Sequence, residues 1–322
     1  MPDGNVSLSE TMSHTAQWFG TFLAFFAIIP READASVAEP QTQLNGYKAV
    51  PVYYSPLNKM MMSARINGQR ANLLVDTGSS QVIVDAAAAA SFGIRPSQGS
   101  LGYVRFTRVN GEQLPVGYAP NLTAGNMSFG SLFVALATPK PSNENRSHID
   151  GVLGLDLLTR HKAVINCRTK LVFFKTNQRL QMNLSSVAAA EKFTKVPLRR
   201  EGNGALTVPC SIRGHGTRLL VDTGSFVTIF HEPFVESVGI SPKPTRVSAY
   251  FGRGAARKLS AAEINNIQIG DFKAPTTKFG VTALPGATLT QGGASVRGIL
   301  GMDTLYNCNG IIDLENMSLF LK

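Results

Sequence analysis

The sequence predicts an all-β protein built from two like units that pair about a pseudo-twofold axis. Three observations carry this reading. First, the chain repeats itself at long range. Asp222 lies 146 residues after Asp76, and Asp303 lies 147 after Asp156. Around these anchors Val50-Pro51-Val52 matches Val196-Pro197-Leu198, Ile66-Asn67-Gly68 matches Ile212-Arg213-Gly214, and Phe92-Gly93-Ile94 matches Val238-Gly239-Ile240. A period this long marks a duplicated domain, not a solenoid. Second, short apolar segments bounded by Gly, Asn and Pro recur through both copies, which is the pattern of strands and turns. Third, only one or two short stretches per copy carry helix signals. The predicted organisation is a leader at 1–38, a first unit at 49–176, a linker at 177–194 and a second unit at 195–322.

The elements follow in order. Residues 59–66 are an expected strand, Asn67-Gly68 a hairpin turn, and 71–75 a strand running into Asp76. The second copy repeats this with a strand at 205–212, a Gly214-His215-Gly216 turn and a strand at 217–221. Apolar strands at 81–84 and 227–230 come next. A short helix follows each: Asp85 is a fitting N-cap before 86–92 with Gly93 as C-cap, and His231 and Gly239 bracket the partner helix. Residues 101–116 around Asn110-Gly111 and 247–259 around Gly252-Arg253-Gly254 read as mobile hairpins. Each unit closes on two strands, 163–166 with 171–174 and 310–312 with 318–321. The polar, Ala-rich stretch 177–191 reads as linker.

Composition bounds the function classes. The net charge is +10, but the cations are scattered and form no nucleic-acid-binding module, so a solvated basic surface and no nucleic-acid partner are expected. The three cysteines, Cys167, Cys210 and Cys308, occupy non-equivalent places in the repeat and form no Cys-x-x-Cys spacing. His148, His161, His215 and His231 share no metal-ligand spacing either, so neither a metal nor a cofactor is expected. Gly252-Arg253-Gly254 lacks the third glycine and strand-helix context of a nucleotide fingerprint. Outside the repeat, the apolar run from Trp18 to Pro30 is short for a membrane span and suits a signal-peptide core. Ala33-Asp34-Ala35 and Ser36-Val37-Ala38 are small-x-small cleavage sites, although no Lys or Arg precedes the run. Export to a periplasmic or secreted location is expected, with an uncleaved membrane anchor as the alternative.

The chemistry lies in two motifs. Asp76-Thr77-Gly78-Ser79 and Asp222-Thr223-Gly224-Ser225 each follow Leu-Leu-Val. Each is followed about 80 residues on by a second signature, Gly151-Val152-Leu153-Gly154 or Gly298-Ile299-Leu300-Gly301. Two carboxylates brought close cannot both ionise cheaply, so they share a proton. One can then activate a water while its protonated partner polarises a carbonyl. Gly78 and Gly224 let the backbone approach closely, and the Thr and Ser hydroxyls are placed to orient the pair.

These motifs, with a short helix and a Gly-rich hairpin between them, resemble the retropepsin-type aspartic proteases, in the bacterial aspartyl protease form and here in tandem. The likeness spans both units. The shorter lobes and inter-Asp spacing, and a lone Trp confined to the leader, make pepsin the weaker analogue. The resemblance implies two β-rich retropepsin-like units paired in one monomeric chain, with Asp76 and Asp222 catalytic. It implies that Thr77 and Thr223 clasp across the axis and that Ser79 and Ser225 hydrogen-bond the carboxylates. Leu153-Gly154 and Leu300-Gly301 would form psi-shaped loops, and substrate-binding flaps would lie near Tyr103 and Tyr250. Asp156 and Asp303 are read as helix N-caps. The implied function is an aspartic endopeptidase acting on protein or peptide substrates with an acid-leaning pH optimum. The alternative is a non-catalytic peptide-binding protein that keeps the fold.

Overall fold

The computed structural model describes residues 44–55, 58–99, 102–137, 148–251, 256–289 and 295–322. The predicted leader at 1–38 and the tip Gly252-Arg253-Gly254 lie outside the described residues. The architecture is the expected one, all-β in two like halves.

Each half carries a tight hairpin. Strands Met60–Ile66 and Gln69–Val75 pair with Ile66 opposite Gln69, and Met60, Met62, Ala64 and Ile66 alternate into the core. The turn residues Asn67 and Gly68 have φ of 51° and 84°, the left-handed pair that a two-residue hairpin needs. The second hairpin joins Leu206–Ile212 to His215–Val221. Here the expected Gly214-His215-Gly216 turn is corrected. Ile212 pairs directly with His215, and the turn is Arg213-Gly214 with φ of 50° and 83°. An arginine tolerates this conformation because its Nη1 donates to the carbonyls of Val238 and Gly239, both at 3.0 Å. In the first half Asn67 Nδ2 donates to Phe92 O at 2.8 Å in the same place.

The strand ending at Val75 lies parallel to Gly151–Leu153, whose other side is taken antiparallel by Ile83–Asp85. The second half repeats this with His215–Val221, Val296–Leu300 and Ile229–His231. The glycine that closes each signature is needed by close approach. A Cβ on Gly154 would lie 2.2 Å from Gln81 O, and one on Gly301 would lie 2.5 Å from Val227 O.

The halves are joined through one sheet. Val164–Asn166 pairs antiparallel with Ile311–Asp313, with Ile165 opposite Ile312. Leu171–Lys175 and Tyr47–Tyr54 extend this sheet on one side, and Ser318–Leu321 and Thr194–Pro197 on the other. A buried ion cluster backs the junction. Lys175, whose side chain is fully buried, pairs with Glu315 of the second half. Glu315 also accepts from Tyr47 Oη at 2.6 Å and from Lys162 Nζ at 3.3 Å.

Two local readings change. Helix Ala86–Ala89 is capped by Asp85, which accepts from Ala87 N, and it runs on into a 3-10 turn, Ala90–Phe92, closed by Gly93 with φ of 68°. His231 does precede helix Glu232–Ser237, but its Nδ1 accepts from Leu284 N and no side-chain cap forms. The segment read as linker holds a helix, Leu184–Ala190, capped by Asn183. Its Leu184 and Ala188 pack with Phe173 of the first half and Phe320 of the second. Burial of this i, i+4 apolar pair orders a stretch too polar to read as helix.

Candidate active site

The two Asp-Thr-Gly turns meet at the junction of the halves. Asp76 leaves the first sheet with its N–H donating to Leu153 O, and Asp222 leaves the second with its N–H donating to Leu300 O, both at 3.1 Å. The threonines interlock below them. Thr77 N donates to Thr223 Oγ1 at 3.0 Å, and Thr223 N donates to Thr77 Oγ1 at 3.1 Å. Each hydroxyl then donates across the axis, Thr77 to Val221 O at 2.8 Å and Thr223 to Val75 O at 2.7 Å. Both threonines are wholly buried, so these four bonds fix one half on the other without competition from water.

On this base the carboxyls of Asp76 and Asp222 are half-buried and share a hydrogen bond. Gly78 N donates to Asp76 Oδ1 at 2.7 Å, and the Ser79 N–H turns to the main-chain carbonyl of Asp76 at 3.4 Å. Gly224 N and Ser225 N donate to Asp222 Oδ1 at 2.8 and 3.0 Å. The missing Cβ atoms matter across the axis. A Cβ on Gly78 would sit 2.5 Å from Asp222 Cγ, and one on Gly224 the same distance from Asp76 Cγ. Desolvation and the facing Asp222 hold the Asp76 carboxyl well above the usual carboxylate range, and desolvation pushes Asp222 up as well. The pair therefore holds one proton well into the pH range where an exposed carboxyl has lost its own.

The expected role of the serine hydroxyls is corrected. Ser79 Oγ donates to Gln81 O and Ser225 Oγ to Val227 O, each at 2.9 Å, and of the two serines it is Ser225, through its N–H, that bonds a dyad carboxylate. The hydroxyls instead tighten the turn leading away from each Asp. Asp156 and Asp303 are not N-caps. Gly154 and Gly301 cap the helices Leu155–Arg160 and Met302–Asn307, and each Asp stands inside the first turn. Asp303 Oδ1 accepts from the N–H and hydroxyl of Thr228 at 2.8 and 2.7 Å, bracing the segment behind Asp222.

A hairpin reaches the dyad from the first half, but not at the expected residue. Strand Phe106–Val109 turns through Asn110-Gly111 into strand Glu112–Ala124. Asn110 Nδ2 donates to Gly78 O at 3.0 Å. Thr107 Oγ1 donates to Gln81 Oε1 at 3.1 Å and Gln81 Nε2 to Arg108 O at 3.2 Å, tying the hairpin to the segment after the dyad turn. Tyr103 precedes this hairpin and is 76% exposed. Tyr250, 54% exposed, follows strand Lys243–Ala249, which pairs with Arg257–Ile264. Asn110 is thus the hairpin residue seen to touch the dyad turn. Its sequence signal was the Asn-Gly turn, which shows a reversal but not what the reversal reaches.

A family profile described as aspartyl protease matches residues 62–157 and 208–304. The chain is 29% identical over 114 residues to the DNA damage-inducible protein 1 of Yarrowia lipolytica. That match covers 35% of this chain and 27% of the relative, so the chain spans about a quarter of the curated relative it matches. Among solved structures, the aspartic proteinase of Irpex lacteus superposes with a TM-score of 0.49 at 15% identity, covering 85% of this chain and 96% of that one. The basic 7S globulin from soybean gives 0.47 at 11%, covering 86% and 94%. Among the described residues no group of three or more His, Cys, Asp or Glu is placed to hold a metal ion, and no helix is long and apolar enough to cross a membrane.

Proposed function

The chain belongs to the aspartyl protease family, and on that premise we propose that it is an aspartic endopeptidase whose single active site is assembled within one chain. The observation that supports this most is the facing pair Asp76 and Asp222, hydrogen-bonded to each other with a glycine cleared on each side. A binding module gains nothing from two half-buried acids that must share a proton.

In this reading the ionised carboxyl takes a proton from a water held between the pair. The water oxygen attacks the peptide carbon as the protonated carboxyl gives its proton to the carbonyl oxygen. The resulting gem-diol collapses as the carboxyl now holding the proton gives it to the amide nitrogen, which leaves as the amine, while the ionised carboxyl takes a proton from a gem-diol hydroxyl. Atoms balance as one water added and one peptide bond broken, and the dyad ends with the single proton it began with. The backbone N–H groups of Gly78 and Gly224 stabilise negative charge on either carboxyl throughout.

Activity requires one proton between the two carboxyls, so the rate falls as pH rises past the pair's higher value and as pH falls past its lower one. We place the protein outside the cytosol on the strength of its leader, and N-terminal sequencing of extracted protein tests that. The catalytic reading is tested by digesting a peptide library with wild type beside Asp76→Asn and reading the cuts by mass spectrometry. Cuts made by both proteins, or by neither, sink it.

A further inference from the structure

The fold gathers cations that lie far apart in the sequence. Arg105 and Arg108 belong to the first-half hairpin, and Lys243, Arg246, Arg257 and Lys258 to the second-half strands Lys243–Ala249 and Arg257–Ile264. All six are exposed. Against them stands one acid between residues 101 and 116, Glu112, and none between 241 and 262. That is a dense share of charge for a chain whose net charge is +10 over 322 residues.

Both hairpins are rooted beside the dyad. In the first, Val109 and Leu114 pack with Ile83, Gln81 holds Thr107 and Arg108, and Asn110 reaches Gly78 O. In the second, Ala249 and Leu259 share an apolar cluster with Val227 and Ile229, on the segment that leaves the Asp222 turn. The hairpins thus rise from equivalent segments on either side of the facing carboxyls.

Nothing neutralises these charges. Among the described residues none of the six makes an ion pair. Arg105 lies over the Phe133 ring at 5.4 Å, and Arg257 Nη1 donates to Ala283 O at 2.9 Å. Such contacts orient a guanidinium and leave its charge in place. Nor do the six act on the dyad, where the charge felt by Asp76 is that of Asp222. Like charges gathered on two hairpins repel one another until an anion lies among them.

We propose that the two hairpins form a cationic rim that selects acidic peptides, with Asp or Glu flanking the two residues joined by the scissile bond. An extended peptide laid across the dyad advances about 3.3 Å per residue, so side chains a few residues from the cut reach the rim. The inference rests on the endopeptidase reading, because it takes the dyad as the place where the peptide lies. The two chemistries are compatible. Peptide carboxyls ionise near pH 4, whereas burial keeps the proton of the dyad in place above that range.

The test uses two peptides that differ only in carrying glutamate or glutamine at the flanking positions. They are compared near pH 6, where peptide carboxyls are ionised, on wild type, Arg108→Gln, Lys258→Gln and the double variant. Neither of these side chains makes a hydrogen bond among the described residues, and thermal melts check folding. Arg257 is left in place because it holds Ala283 O. Wild type is expected to favour the acidic peptide about tenfold in kcat/KM, mostly through KM, and to lose most of that preference in roughly 0.5 M salt. The double variant should favour it less than about threefold. Labelled forms of both peptides are also titrated into Asp76→Asn protein by fluorescence anisotropy, which reads the preference without cleavage. Equal cleavage and equal binding of the two peptides overturn the proposal and leave the endopeptidase reading standing. A preference unchanged in the double variant, or unchanged by salt, overturns it too. Equal peptide binding beside salt-sensitive binding to phosphatidylglycerol vesicles would give the cations to a lipid surface and also overturn it. Preferential binding of the acidic peptide with neither peptide cut by wild type upholds the rim and sinks the endopeptidase reading alone.

Discussion

Replacing Gly78 by alanine should disable the dyad through the other half of the molecule. The new Cβ would lie 2.5 Å from Asp222 Cγ and 2.6 Å from both of its oxygens, where ordinary contact begins at 3.4 Å. About 0.9 Å must therefore be found. The backbone cannot supply it cheaply, because Thr77 and Thr223 clamp both turns through four buried hydrogen bonds. The Asp222 carboxyl has to move instead, out of line with Asp76. A misplacement near 1 Å costs roughly a hundredfold in rate, and the crowding costs about 1–3 kcal/mol of stability. Gly224→Ala should do the same through Asp76, at the same 2.5 Å. Gly214→Ala is the control, because its Cβ meets nothing within 4 Å but φ is +83°. It should lower stability by about 1 kcal/mol through backbone strain while leaving kcat/KM alone. The assay is kcat/KM on one peptide with urea melts on the same samples. A Gly78→Ala protein within about threefold of wild type in kcat/KM would refute the close approach.

Two further outcomes follow from the junction. Thr77→Val removes the acceptor for Thr223 N–H and the donor to Val221 O, leaving two buried backbone groups unpaired, so urea melts should show a loss of about 2–4 kcal/mol. Burial alone would raise the Glu315 carboxyl, but the bonds from Lys175, Tyr47 and Lys162 outweigh it and hold it below the ordinary glutamate range. Its contribution is therefore present above that range and lost as pH falls through the depressed value. Glu315→Gln strands the buried Lys175 and should cost about 3 kcal/mol at pH 7, with the gap to wild type closing as pH falls through the depressed value of the wild-type carboxyl.

The duplicated scaffold was legible because it is written in covalent spacing. Asp-Thr-Gly-Ser and Gly-x-Leu-Gly recur in register, and glycines required by backbone contact cannot drift in identity. Strand positions were readable for the same reason, since alternation such as Met60-Met62-Ala64-Ile66 records which face is buried. What a side chain reaches was not readable. Asp-Thr-Gly-Ser places a hydroxyl two residues from a carbonyl as well as three from a carboxylate, and the turn geometry favours the carbonyl of Gln81 or Val227. The turn was read one residue late, at Gly214-His215-Gly216, because the acceptors that hold Arg213 lie 25 and 26 residues away. Asn110 looked like a turn residue and nothing else, because Gly78 lies 32 residues back and only the folded hairpin brings them together.

The central claim is that one chain builds one dyad from its two halves. It is tested most directly by turnover of wild type, Asp76→Asn, Asp222→Asn and an equimolar mixture of the two variants. Cleavage by wild type alone is predicted, with each variant and their mixture slower by roughly a thousandfold or more. A single variant with near wild-type turnover, or a mixture that regains activity, would contradict it by showing that the two aspartates do not work as a pair within one chain.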